Sequence, residues 1–163
     1  MEAKLRRYEH TLEIVGKGVV ALGGWLVFKF FIFIFFEKEA LYGMLEAEGL
    51  EVNKYVEILI IVSTVFVMVV AFLIQLFVGL SAISEGKKKK NRFAYIVVAV
   101  LLVGIYIFDI VIQIEKYWGE NPDILNNTTS VIIDVTQLYI LIDMIISAIK
   151  IKIIRKEISM PVM

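Results

Sequence analysis

From Val56 to Ser84 the chain reads VEILIIVSTVFVMVVAFLIQLFVGLSAIS, and Glu57 is the only charged residue in this segment. A helix rises about 1.5 Å per residue, so roughly 20 apolar residues in helical form cross the hydrocarbon core of a bilayer. The segment therefore predicts a transmembrane helix. Proline, which would kink such a helix, occurs in the chain only at Pro122 and Pro161.

Three further segments pass the same length test, over residues 14–36, 93–114 and 131–149. Each is continuously apolar rather than alternating, which argues against the strands of a β-barrel. The sequence thus predicts an all-α membrane protein. We expect an antiparallel four-helix transmembrane bundle that forms one domain over all 163 residues.

The composition excludes several classes of function. Hydrophobic residues make up 60% of the chain, which exceeds the roughly 45–50% of an ordinary soluble domain. The 17 basic and 17 acidic residues cancel, so no charge excess favours nucleic acid as a partner. Because the chain has no cysteine and only His10, thiolate metal sites and Cys–His nucleophiles are excluded. We expect a protein that is not an enzyme and has no cofactor.

Basic residues outside the spans predict the orientation, because cytoplasmic loops carry the excess of lysine and arginine. Twelve lie before the first span, between the second and third, or after the fourth: Lys4, Arg6, Arg7, Lys87, Lys88, Lys89, Lys90, Arg92, Lys150, Lys152, Arg155 and Lys156. Only Lys38, Lys54 and Lys116 lie in the other two loops. Both termini are therefore expected in the cytoplasm. The lysine-, isoleucine- and glutamate-rich composition is compatible with the cytoplasmic membrane of a prokaryote.

The basic run that joins the second and third spans is a candidate contact for anionic lipid. It consists of Lys87, Lys88, Lys89, Lys90 and Arg92. A basic residue near an anionic membrane surface contributes about 1 kcal/mol. The alternative is that the run only sets the topology, and the two interpretations are compatible.

Polar side chains inside the predicted spans are the candidate functional residues, because each needs a partner or a wet cavity in the bilayer. They are Glu13, Lys17, Lys29, Gln75, Asp109, Asp134, Gln137 and Asp143. Lys29 and Asp109 both fall about 7 Å outward of the midplane, so they are natural ion-pair partners. The alternative is that Lys29 extends to the outer surface by snorkelling. Glu13 and Lys17 are spaced i,i+4 and suit a pair within one helix.

These polar residues allow two interpretations. Intramembrane carboxylates can form a proton or ion path, whereas polar contacts between helices can simply hold a bundle together. The leading hypothesis is a non-enzymatic subunit or scaffold that associates with itself or with another membrane protein in the lipid bilayer. The alternative is a small oligomeric channel or transporter that uses the intramembrane lysine, aspartate and glutamine side chains.

Overall fold

The computed structural model describes residues 2–36, 53–88, 93–117 and 124–159, and these residues form four helices. They are α1 (Glu2–Phe36), α2 (Lys54–Gly86), α3 (Ala94–Tyr117) and α4 (Ile124–Ser159). All four are long and apolar enough to cross a membrane. The prediction of an all-α chain with four membrane-spanning helices is confirmed to that extent.

Two of the helices extend well past the predicted spans. α1 begins at Glu2 rather than near residue 14, and α4 continues to Ser159 rather than ending near residue 149. The reason is that hydropathy locates the part of a helix in hydrocarbon, whereas glutamate, lysine and arginine continue a helix readily in water. The start of α2 is capped by Asn53, whose side-chain oxygen accepts hydrogen bonds from the backbone N–H groups of Tyr55 and Val56, both at 3.0 Å.

The chain divides into two compact units. The first, here called the packed unit, comprises Met1–Val20 and Phe77–Met163. The second, here called the hairpin unit, comprises Ala21–Leu76. The packed unit therefore contains the start of α1, the end of α2, and the helices α3 and α4.

The interior of the packed unit is formed by stripes of buried side chains, one along each helix. Besides the buried Ser147, six buried residues of α4 recur at alternating spacings of three and four: Asp134, Gln137, Leu141, Met144, Ala148 and Ile151. On α1 the buried residues Glu9, Leu12, Gly16 and Val19 follow the same spacing. Such spacing keeps one stripe of each helix facing its neighbours. α3 contributes Tyr95 and Ala99, both fully buried.

Glycines bring α1 and α2 close together in the packed unit. A methyl group on Gly79 would lie 2.6 Å from Cγ2 of Val20 and 2.9 Å from the carbonyl oxygen of Gly16. A methyl group on Gly86 would lie 2.7 Å from the carbonyl oxygen of Glu9. Only glycine fits at these crossings, as is common where helix backbones approach each other in lipid.

The hairpin unit is much more open. Among its described side chains, only Gly23 and Gln75 belong to the buried class. These two are also close to each other, because a methyl group on Gly23 would lie 2.8 Å from Oε1 of Gln75. A methyl group on Gly24 would meet no atom within 4 Å. Gly23 is thus at a close approach within this unit, whereas Gly24 is not.

Candidate functional site: an ionic cluster at one end of the packed unit

Arg155 lies at the centre of a group of charged side chains that we call the ionic cluster. Its Nη2 donates to Oε1 of Glu9 at 3.1 Å and to the backbone carbonyl of Glu85 at 3.4 Å. Its Nη1 lies 4.0 Å from Oε1 of Glu85. The cluster comprises Glu9, Glu13, Lys17, Glu85, Lys87, Lys88 and Arg155. Arg155 therefore links α4 to α1 and to the end of α2.

Three lysines complete the cluster at its surface. Nζ of Lys88 lies 3.3 Å from Oε2 of Glu9. Nζ of Lys17 and Nζ of Lys87 lie 2.9 Å and 3.6 Å from the same oxygen, Oε1 of Glu13. The pairing of Glu13 with Lys17, predicted from their i,i+4 spacing, is thus confirmed.

The end of α2 positions two of these lysines. The N–H of Lys87 donates to the carbonyl of Ile83, and the N–H of Lys88 donates to that of Glu85, both at 3.0 Å. Lys88 has a φ of 60°, which is the left-handed conformation that glycine adopts most easily at the end of a helix. In this conformation the Lys88 side chain forms an ion pair with Glu9. Lys88 therefore combines a strained backbone with an ion pair.

The floor of the cluster is buried and only partly hydrogen-bonded. Glu85 and Tyr95 have no exposed surface. Within the described residues, the Tyr95 hydroxyl and both carboxylate oxygens of Glu85 make no hydrogen bond. The Tyr95 side chain lies close to the Glu85 carboxylate. Since a buried charge without compensation is costly, the contact of Glu85 with Arg155 matters for stability.

Aromatic rings hold two further lysines near the same end of the packed unit. Nζ of Lys150 lies 5.0 Å from the centre of the Tyr8 ring, and Nζ of Lys152 lies 5.0 Å from the centre of the Phe93 ring. Such contacts contribute about 0.5–1 kcal/mol at exposed sites. They link α4 to α1 and to the start of α3 beside the ionic cluster.

The structure separates the predicted intramembrane polar residues into groups. Gln75, Asp134 and Gln137 are buried, with Gln75 in the hairpin unit and the other two on the interior stripe of α4. Asp143 is half-buried. Asp109 and Lys17 are exposed, whereas Glu13 is half-buried at the rim of the ionic cluster.

Several predicted residues fall where nothing is described. The Lys29 side chain lies outside the described part of the structure, so its predicted pairing with Asp109 stays a prediction. Lys89, Lys90 and Arg92 of the candidate lipid contact also lie outside the described residues. Lys87 and Lys88 are described, and both are exposed.

An apolar section fills the middle of the packed unit. Val19, Val78, Leu141 and Met144 have no exposed surface. Along α4, Leu141 and Met144 separate the buried pair Asp134 and Gln137 from Arg155 at the far end. The most polar parts of the α4 interior stripe are thus kept apart by a section of aliphatic and thioether side chains.

Sequence reasoning missed Glu9, Glu85, Arg155 and Tyr95. Glu85 and Arg155 lie beside basic runs, so both read as loop or tail residues. The periodicity of α4 contained a usable signal, because the spacing that places Ala148 and Ile151 inside continues to position 155. Extending that stripe past the hydrophobic segment would have placed Arg155 on the inner face.

The chemistry of the cluster is that of ion pairing. Within the described residues, no group of three histidine, cysteine, aspartate or glutamate side chains is arranged to hold a metal ion. Comparisons with family models, with characterised proteins and with solved structures find no match for the chain. The four long apolar helices indicate an integral membrane protein.

Proposed function

We propose that the chain is a non-enzymatic subunit or scaffold of a membrane assembly, an antiparallel four-helix bundle with both termini in the cytoplasm. The observation that carries this proposal is the apolar section of the packed unit. Val19, Val78, Leu141 and Met144 are fully buried there. A proton or ion path along this interior would need polar groups or water at the level that these four side chains occupy.

The openness of the hairpin unit supports an assembly role. Many described side chains of α2 within this unit are large, apolar and exposed, including Leu59, Val62 and Phe66. In a membrane these side chains are covered either by lipid or by another protein. This face is therefore available for lateral contact with another protein.

The competing function is a small oligomeric channel or transporter. The observation in its favour is that Asp134 and Gln137 are buried on the interior stripe of α4. Nε2 of Gln137 has no hydrogen-bond partner within the described residues. Buried polar groups of this kind are also found in permeation pathways.

The deciding experiment is the mass and subunit content of the particle extracted from native membranes in mild detergent. Multiples of the 18.6 kDa chain, or a fixed ratio to another polypeptide, are the expected results. A particle that contains one copy of the chain and no other polypeptide contradicts the proposal.

Reconstituted vesicles separate the two functions. For a scaffold, proton and ion flux should equal that of protein-free vesicles. The channel would be favoured instead by flux above that background, provided that Asp109→Asn changes the flux and leaves the particle mass the same. Asp109 is the suitable position because it is exposed on an otherwise apolar surface of α3.

A further inference from the structure

Lys17 of α1 and Lys87, which directly follows α2, meet at a single carboxylate oxygen. Their Nζ atoms lie 2.9 Å and 3.6 Å from Oε1 of Glu13, so the two nitrogens are separated by no more than the sum of these distances. Two N–H···O contacts of about 2.8 Å to different oxygens of one phosphate group fit such a separation. The two ammonium groups are therefore placed to bind one anion together.

The charges at this point do not balance. One carboxylate neutralises one ammonium group, so Glu13 together with Lys17 and Lys87 carries one positive charge in excess. Lys88 lies next in the chain and pairs with Glu9. The local field therefore favours a further anion beside Glu13.

The cluster is also layered by burial, with its acids inside and its lysines outside. The side chains of Lys17, Lys87 and Lys88 are 60%, 46% and 62% exposed. Those of Glu13 and Glu9 are 23% and 6% exposed. The surface that faces the surroundings is thus positive, although the cluster as a whole is nearly neutral.

The place of these lysines along the helices indicates the source of the anion. Lys17 lies one turn along α1 from Glu13, within a helix long and apolar enough to cross the membrane, whereas Lys87 directly follows the end of α2. Each lysine has a large, exposed apolar side chain close to it along the chain. These are Ile14 on α1, before Lys17, and Leu80 on α2, before Lys87. Ammonium groups beside exposed apolar surface at a membrane boundary match a phospholipid, which has a phosphate above acyl chains.

We propose that Lys17 and Lys87, with Lys88 beside them, bind the phosphate of an anionic phospholipid in the cytoplasmic leaflet. This site differs from a general attraction to the basic run of residues 87–92. It includes a lysine from α1 that is remote from that run in sequence, and it is organised by one carboxylate. Glu13 competes with the lipid phosphate for the two lysines and so limits their affinity for the lipid.

The test is a titration of the full-length protein in detergent with phosphatidylglycerol and with phosphatidylcholine, measured by native mass spectrometry. Lys17→Gln and Lys87→Gln should each weaken phosphatidylglycerol binding about fivefold, and the double variant should weaken it further. Phosphatidylcholine binding should change little. Lys156→Gln and Lys54→Gln, which remove exposed lysines outside the cluster, serve as matched controls.

Glu13→Gln provides a test of opposite sign. It removes the competing carboxylate and leaves both lysines in place, so phosphatidylglycerol binding should strengthen. If Glu13→Gln weakens binding, or if Lys17→Gln behaves like Lys156→Gln, the proposed site is wrong.

Free phosphate distinguishes the two possible sources of the anion. In nanodiscs of pure phosphatidylcholine, millimolar inorganic phosphate should raise the thermal stability of the wild type much less than a small fraction of phosphatidylglycerol does. An equal or larger effect of free phosphate that is lost in Lys17→Gln would overturn the assignment to lipid.

Discussion

Helix α2 belongs to both units of the chain, and its two parts bury very different side chains. In the packed unit, Val78, Ala82 and Glu85 of α2 are buried. In the hairpin unit, Gln75 is the only described residue of α2 in the buried class, although this part of the helix is rich in valine, leucine and phenylalanine. Apolar content therefore does not explain which part packs.

The difference follows from the environment that a membrane provides. Lipid tails are as apolar as leucine, so burying leucine against another helix gains little in a bilayer. Close approach at small residues and contacts between polar groups hold the helices instead. The packed unit has both, in its glycine crossings and its ionic cluster, whereas the described close approach in the hairpin unit is that of Gly23 to Gln75.

The largest expected effect comes from breaking the ionic cluster at Arg155. Arg155→Ala leaves the fully buried Glu85 and the nearly buried Glu9 without their shared guanidinium group. We expect a loss of about 3 kcal/mol in the free energy of unfolding, as is typical when one partner of a buried ion pair is removed. The measurement is thermal or denaturant unfolding in mild detergent.

Lys156→Ala is the matched control for Arg155→Ala, since Lys156 is the next residue of α4 and is exposed. It should change stability by less than about 0.5 kcal/mol. The double variant Glu85→Gln with Arg155→Met should be milder than Arg155→Ala, because it removes a buried charge together with its partner. A double variant at least as unstable as the single one would contradict a charge-pairing role of Arg155 toward Glu85.

The second effect tests the glycine crossings directly. Gly79→Ala introduces a methyl group 2.6 Å from Cγ2 of Val20 and 2.9 Å from a backbone oxygen, so α1 and α2 must move apart. We expect a loss of about 2 kcal/mol, within the range for overpacked sites. Gly24→Ala in the hairpin unit meets no atom within 4 Å and should be neutral or slightly stabilising. Equal losses in the two variants would contradict the contrast between the units.

The third effect concerns the strained end of α2. Lys88→Ala keeps a side chain in the left-handed conformation and loses the ion pair with Glu9, so it should destabilise the protein. Lys88→Gly loses the same ion pair but removes the strain, and it should be more stable than Lys88→Ala by about 1 kcal/mol. If the two variants unfold at the same point, the left-handed backbone of Lys88 carries no strain.

The sequence predicted the parts of this fold that depend on length and periodicity. Four apolar segments of the right length become four helices, because an apolar run in a bilayer must satisfy its own backbone hydrogen bonds. The ionic cluster was not predictable in the same way. Arg155, Glu85 and Glu9 are far apart in the chain, and hydropathy treats all three as flanking residues. Only the pair of Glu13 and Lys17 was found, because its geometry is local to one helix.

The smallest expected effect tests the predicted ion pair of Lys29 and Asp109. A double-mutant cycle with Lys29→Met and Asp109→Leu, measured as unfolding in mild detergent, should give a coupling energy of about 0.6 kcal/mol, the average for polar contacts between membrane helices. The energy is small because Asp109 is exposed rather than enclosed by the packed unit. Additive single effects would mean that Lys29 extends to the membrane surface instead, as the snorkelling alternative predicts.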